Sequence, residues 1–286
     1  CAAGRFGDRE GLSSAACSGL CSGGCLCTNA SISSCPLACG SRAVFCPNGT
    51  SSVRLVPNGF ESLCRDDAHC FAIRNCTRGS YCRGGLPLLC QQGSIAPVDG
   101  FADCQQCEAG KMAAKDGQTI CTDCSAGRFS DEPGRANCFA CAEGKFQPDH
   151  GKTRCIDCAA GSSSARDASA CTPCAKGTFQ PRNGSAYCES CTTGHYCNKL
   201  AATSPTPCDP GSYQPAFGQT SCLACGESKF QRSSAMTTCD ECKTFVIRNR
   251  TACGENDCKA GTKYDRQRGC VDCPPHTFSP AKATEC

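Results

Sequence analysis

The sequence predicts a small disulfide-rich fold: tandem cysteine-rich repeats stacked into an elongated rod, with little regular secondary structure beyond short β-hairpins. Three observations predict it. Six Cys-x-x-Cys pairs follow one another at Cys104/Cys107, Cys121/Cys124, Cys138/Cys141, Cys155/Cys158, Cys171/Cys174 and Cys188/Cys191, stepping by 17, 17, 17, 16 and 17 residues. Thirty-six of the 286 residues are Cys, an even number, while Trp is absent and aromatics make up only 6%. Between the pairs, Gly and an aromatic residue recur at fixed offsets. A unit of this length carries too few apolar residues for a private core, so cross-links and contact with neighbouring units must hold it.

The cross-links follow from the same composition. A chain of this length ordinarily buries one large core, but here disulfides replace hydrophobic burial. Each contributes about 2 to 4 kcal/mol by restricting the unfolded chain. Such bonds persist in an oxidising compartment, which places the protein outside the cell, at its surface or in the secretory pathway. Five N-x-S/T sequons, at Asn29, Asn48, Asn75, Asn183 and Asn249, agree with N-linked glycans on a secreted chain. At Asn75 the middle residue is Cys76, which makes it the weakest of the five. The formal net charge of +3 without basic runs argues against nucleic acid or an acidic membrane as partner. No apolar stretch is long enough to cross a membrane. The chain opens on Cys1 and closes on Cys286, both in mid-repeat, and reads as a segment of a longer polypeptide.

Aligned on the second Cys of each pair, the unit reads C-x-x-G-x-(F/Y)-x(4-5)-G-x(3)-C-x-x-C. Its first Gly, at Gly110, Gly127, Gly144, Gly161, Gly177, Gly194 and Gly211, occupies a position where a positive φ is expected. The aromatic two places on is Phe129, Phe146, Phe179, Tyr196 or Tyr213, with Met112 and Ser163 as departures, and is expected to pack onto the disulfide of the adjacent unit. The second Gly, at Gly117, Gly134, Gly151, Gly184 and Gly218, is expected at a hairpin tip. This organisation divides the chain into an irregular, degenerate region at 1–103, the regular block at 104–191 and less regular repeats at 192–286.

Loop closure favours bonding the second Cys of one pair to the first of the next, giving Cys107–Cys121, Cys124–Cys138, Cys141–Cys155, Cys158–Cys171 and Cys174–Cys188. The same loop length recurs at Cys208 to Cys222, Cys225 to Cys239, Cys258 to Cys270 and Cys273 to Cys286, although Ser228 and His276 replace the first Gly. Further copies run from Cys1 to Cys17 and from Cys90 to Cys104. A second phrase, C-x(5)-C, appears at Cys76/Cys82 and Cys191/Cys197. Parity pairs Cys191 with Cys197 and Cys242 with Cys253; Cys191–Cys208 with Cys197–Cys222 is the alternative, and residues 17–82 carry no assignment.

The repeat phrase resembles the ephrin-receptor-like cysteine-rich repeats, within the wider growth-factor-receptor and tumour-necrosis-factor-receptor cysteine-rich group, with an EGF-like ladder. The N-terminal stretch from "CAAGRFGDREGLSSAAC" to "CTRGSYC" resembles the variant found in large surface proteins of algae and other protists. The resemblance implies fold and compartment; such modules serve as stalks, adhesins, flagellar-hair components and receptor ectodomains alike.

Candidate sites for chemistry are few. C-x2-C-x13-C-x2-C approaches zinc-ribbon spacing, but the pairs run on without grouping into fours and enclose the Gly/aromatic phrase of a disulfide loop, so no metal and no cofactor is expected. His69, His150, His195 and His276 are scattered, and the acidic pairs Asp66-Asp67 and Asp131-Glu132 read as solvated loop charge. No catalytic residue is assigned and no enzyme is expected, because oxidised Cys cannot serve as nucleophile. Two functional readings follow: a structural or adhesive rod segment of a larger glycoprotein of a filament or cell coat, and, as the alternative, a receptor-type ectodomain that binds a protein ligand. Its partners are other extracellular proteins or copies of itself.

Overall fold

In the computed structural model the described residues are 1–286 except 10–16, 243–244, 247–248, 255–259, 266–268, 276, 278–279, 281–284 and 286. Among them every sheet has two antiparallel strands contributed by consecutive strands of the chain, and no helix occurs. The chain forms two compact units, one comprising 1–140 with 149–155, the other 141–148 with 156–286.

Each regular hairpin has one construction. The two residues after the first Gly pair with the two residues inside the next Cys-x-x-Cys, as in Lys111↔Asp123 and Met112↔Thr122, or Thr178↔Ser190 and Phe179↔Glu189. The disulfide flanks this pairing: Cys107–Cys121 and Cys174–Cys188 close the loops that begin with these strands. A two-residue hairpin is unstable alone in water, so the covalent bond sets the register that a longer ladder of hydrogen bonds would otherwise set. Longer strands occur in the first unit, where Phe60–Cys64 pairs with Cys70–Asn75 and Ser80–Arg83 with Leu86–Leu89.

Sulfur replaces hydrocarbon in the interior. The largest fully buried side chains are all cysteines, among them Cys107, Cys124, Cys141 and Cys158. The aromatic position is half-buried at Phe129, Phe146, Tyr196 and Tyr213. Phe179 is buried and packs against Cys191 and Cys197, the bonded pair of the following repeat. Ile95 makes the same contact with Cys107 and Cys121. At Phe129 the ring meets Phe139 across its own hairpin, with centroids 5.9 Å apart.

Candidate functional site

The seam between repeats is the most consistently built feature of the chain, and it is made of main chain. The N–H of the first Gly donates to a carbonyl in the next repeat, as in Gly110 to Ser130 (2.8 Å), Gly161 to Gln180 (2.8 Å), Gly177 to Cys197 (2.8 Å) and Gly194 to Gln214 (2.7 Å). In return, the N–H of the second Gly reaches back one repeat to the carbonyl of its leading Cys, as Gly134 does to Cys107 and Gly184 to Cys158, both at 2.8 Å.

The first Gly has a second duty. It has positive φ throughout, 86° at Gly110 and 89° at Gly177. A Cβ there would also lie 2.2 Å from the Gly151 carbonyl oxygen at Gly110, 2.0 Å from that of Gly184 at Gly144, and 2.3 Å from that of Gly218 at Gly177. Each of those carbonyls belongs to the loop two repeats on. Contact in this ladder therefore extends to the second neighbour, further than the nearest-neighbour contact expected from repeat length. The second Gly also has positive φ, but a Cβ on Gly151 would meet only the Asp123 side chain at 3.4 Å. Repeats without it place Asp167 (φ 65°), Ala201 (φ 54°) and Ala235 (φ 60°) in the left-handed region.

The residue after the aromatic, which has no fixed type in the repeat phrase, is buried in every regular repeat. It is Ala96, Ala113, Ser130, Gln147, Ser164, Gln180, Gln214 or Gln231. A glutamine here braces its own loop: Gln180 Nε2 donates to the Tyr187 carbonyl (2.8 Å), and its Oε1 accepts from the Arg182 N–H (3.1 Å). Gln214 and Gln231 repeat this arrangement with Ser221 and Ala216, and with Thr238 and Ser233. The recurrent Phe-Gln and Tyr-Gln dipeptides were the available signal.

The C-x(5)-C phrase is the same repeat with Cys in the glutamine place. Cys197 occupies it and bonds back to Cys191, while Pro205 stands three residues before Cys208, where the first Cys of a Cys-x-x-Cys pair would be. Cys82, bonded to Cys76, and Pro87, three before Cys90, repeat the exchange. Without a closing disulfide, the loop from Cys197 to Thr206 encloses a recess of about 290 Å³ lined by Asn198, Lys199, Leu200 and Thr203. At the start of the longest hairpin, Val56 takes the place of the leading Cys and Ser62 that of the glutamine; both are buried.

The remaining disulfides join Cys124 to Cys138, Cys158 to Cys171, Cys208 to Cys222, Cys225 to Cys239 and Cys242 to Cys253. Cys141, Cys155, Cys270 and Cys273 are disulfide-bonded too, and Cys258 and Cys286 lie outside the described residues. Cys1–Cys17 and Cys90–Cys104 close the two further copies of the loop, and in the region without a sequence assignment the bonds include Cys21–Cys27, Cys25–Cys35, Cys39–Cys46 and Cys64–Cys70.

Asn29, Asn48, Asn75, Asn183 and Asn249 are all exposed. Asn183 Oδ1 accepts a hydrogen bond from the Ala160 N–H (2.8 Å), the place Asp99 fills toward Arg78 and Asp116 toward Gln92. The acidic pairs are exposed, as their sequence implies, and form surface ion pairs: Asp67 binds Arg42 Nε (2.8 Å), and Arg135 reaches both Asp131 and Glu132. Asp66 meets the His69 ring at 2.7 Å, which holds its carboxyl below the usual value, with the Ala68 N–H assisting. His195 contacts Thr192 and the Thr193 carbonyl, whereas His276 lies outside the described residues. Cys25, Cys35 and His69 have donor atoms within 4.8 Å of one another, but the two sulfurs are bonded to each other and so are not thiolate ligands. Among the described residues, no helix is long and apolar enough to cross a membrane.

No curated protein matches the chain. Residues 161–208 match the family model described as tyrosine-protein kinase ephrin type A/B receptor-like. They contain the construction detailed above: first glycines at Gly161, Gly177 and Gly194, the Gln180 brace, and the disulfides Cys174–Cys188 and Cys191–Cys197. Residues 161–208 are thus similar to the ephrin-receptor-like cysteine-rich repeats, and the disulfide-rich fold suits an extracellular ectodomain.

Proposed function

We propose that the chain is a non-enzymatic structural or adhesive rod segment of a larger extracellular glycoprotein, one that spaces other domains or assembles side by side into a filament or coat. The main-chain seam carries this reading, because a repeat joined to its neighbours by backbone hydrogen bonds and close glycine contacts propagates along the chain instead of closing on a shared core. Residues 104–191 act as its regular block, between the less regular 1–103 and 192–286. N-linked glycans at Asn29, Asn48, Asn75, Asn183 and Asn249 cover its exposed loops, and its partners are extracellular proteins or further copies of itself. Small-angle scattering tests the reading. A compact globule of this length has a radius of gyration of about 19 Å, and a rod gives a clearly larger value together with a cross-sectional radius that stays constant along its length. A value near the globular one overturns the reading.

A receptor-type ectodomain that binds a protein ligand is the second reading, favoured by the match of residues 161–208 to a model described by ephrin receptors. A saturable, one-to-one protein ligand for the isolated segment favours this reading; self-association favours the first.

A further inference from the structure

We propose that Cys25–Cys35 is an exchangeable disulfide, at which an external thiol adds to Cys35 as a mixed disulfide while Cys25 leaves as a thiolate beside His69. The inference is independent of the rod reading.

The bond lies outside the ladder. Cys25 occupies the first strand position after Gly24, which is Ser94, Lys111, Arg128 or Thr178 in other repeats. Opening it leaves Cys21–Cys27 and Cys39–Cys46 in place on either side. Its two ends differ in access, since Cys35 is exposed and Cys25 is fully buried. An incoming thiolate therefore reaches Cys35, and the leaving group is the buried partner.

A buried thiolate is costly without a cation or a hydrogen-bond donor. His69 supplies a donor: its ring nitrogen lies within 4.8 Å of both sulfurs, and Nδ1 sits 2.7 and 2.9 Å from the Asp66 carboxylate oxygens. The carboxylate orients the ring, and an imidazole N–H beside the sulfurs can donate to a thiolate as it forms. Asp66 is itself fixed by the Ala68 and His69 N–H groups at 3.0 and 3.1 Å. The seam brings these groups together. A Cβ on Gly24 would lie 2.8 Å from the His69 carbonyl, the same kind of main-chain contact that Gly110, Gly144 and Gly177 make with the second-neighbour loop.

The step balances. The thiolate RS⁻ bonds to Cys35 Sγ, the Cys25–Cys35 bond breaks with its electron pair on Cys25 Sγ, and the products are RS–S–Cys35 and the Cys25 thiolate. One disulfide and one thiolate stand on each side, so no oxidant is needed. The co-reactant is a thiol, from a small molecule or from a partner protein.

The full chain is incubated with limiting glutathione or with a protein bearing one exposed Cys, quenched with iodoacetamide and mapped by mass spectrometry. The expected result is an adduct on Cys35 and alkylation of Cys25 before Cys107–Cys121 or Cys174–Cys188 opens. An adduct from glutathione alone assigns the source to small thiols; adducts from both admit protein thiols. His69→Ala slows the opening by roughly three- to tenfold, because the leaving thiolate loses the imidazole beside it, and His69→Gln does the same while keeping a polar side chain. Uniform opening of all bonds, first opening elsewhere, no adduct from either thiol, or wild-type rates in both variants overturns the proposal.

Discussion

Gly110 lies against the carbonyl of Gly151, so closely that a Cβ on Gly110 would be 2.2 Å from the oxygen, whereas a Cβ on Gly151 would find its nearest neighbour at 3.4 Å. The two glycines share a positive φ and differ in what surrounds them. Gly110→Ala therefore combines backbone strain with a main-chain collision, and is expected to cost at least about 3 kcal/mol. Gly151→Ala meets strain alone and costs about 1 to 2 kcal/mol. Hydrogen exchange at the Ser130 amide and at the amide of residue 151, which donate to the Lys152 and Cys124 carbonyls, measures both; equal losses would show that the close approach contributes nothing.

The reverse change is expected to stabilise. Ala201 and Ala235 have φ of 54° and 60° in the place of the second Gly. Relief of left-handed strain outweighs the added entropy of the unfolded chain, so Ala201→Gly and Ala235→Gly each gain about 0.5 to 1 kcal/mol. Thermal denaturation of the single and double variants checks this, with additive gains expected.

Gln180 tests the brace. Gln180→Ala removes its bonds to the Tyr187 carbonyl and the Arg182 N–H and leaves a void, at about 1 to 2 kcal/mol. The effect is confined to the loop from Cys174 to Cys188 and its seam partners, because Gln214 and Gln231 brace their loops separately. Loss of protection throughout the chain would contradict that independence.

The reach of the seam is measured by removing one bond. Cys174→Ser with Cys188→Ser is expected to cost about 2 to 5 kcal/mol. Loosening spreads to the loops containing Gly218 and Ser164, since Gly177 contacts the Gly218 carbonyl and Gly161 bonds to Gln180. Exchange confined to the edited loop would limit contact to its own disulfide.

The C-x(5)-C repeat is expected to convert to the regular kind. Cys197→Gln with Pro205→Cys restores a glutamine to the buried place and a Cys three residues before Cys208, where it can close a loop with Cys191. Peptide mapping should show that new bond, with the remaining disulfides unchanged; scrambling would mean that the two repeat types have different backbones.

The parts of this fold legible in the sequence were those written in residue types with narrow chemistry. Cysteines at a fixed step announced the ladder, and a Gly three residues after each announced a positive φ. Gln180 carries no signal of burial because glutamine is ordinarily a surface residue, and the Phe179 ring beside it is the more conspicuous packing group. The meeting of Gly110 with Gly151 had no signal at all, since a contact between two main chains constrains residue type only through the missing side chain. His69 and Cys25 lay far apart in sequence, and only the close approach at Gly24 joins them.

Because the seam is written chiefly in main-chain atoms, few of the side chains that face outward take part in fitting one repeat to the next; Asp99, Asp116 and Asn183 are among those that do. Length and surface chemistry are thus separate variables in this architecture. A unit can be duplicated, deleted or recoloured with charge, sugar or apolar groups without renegotiating its joints, so the same joint can serve a short spacer or a long one, and a bare surface or a decorated one.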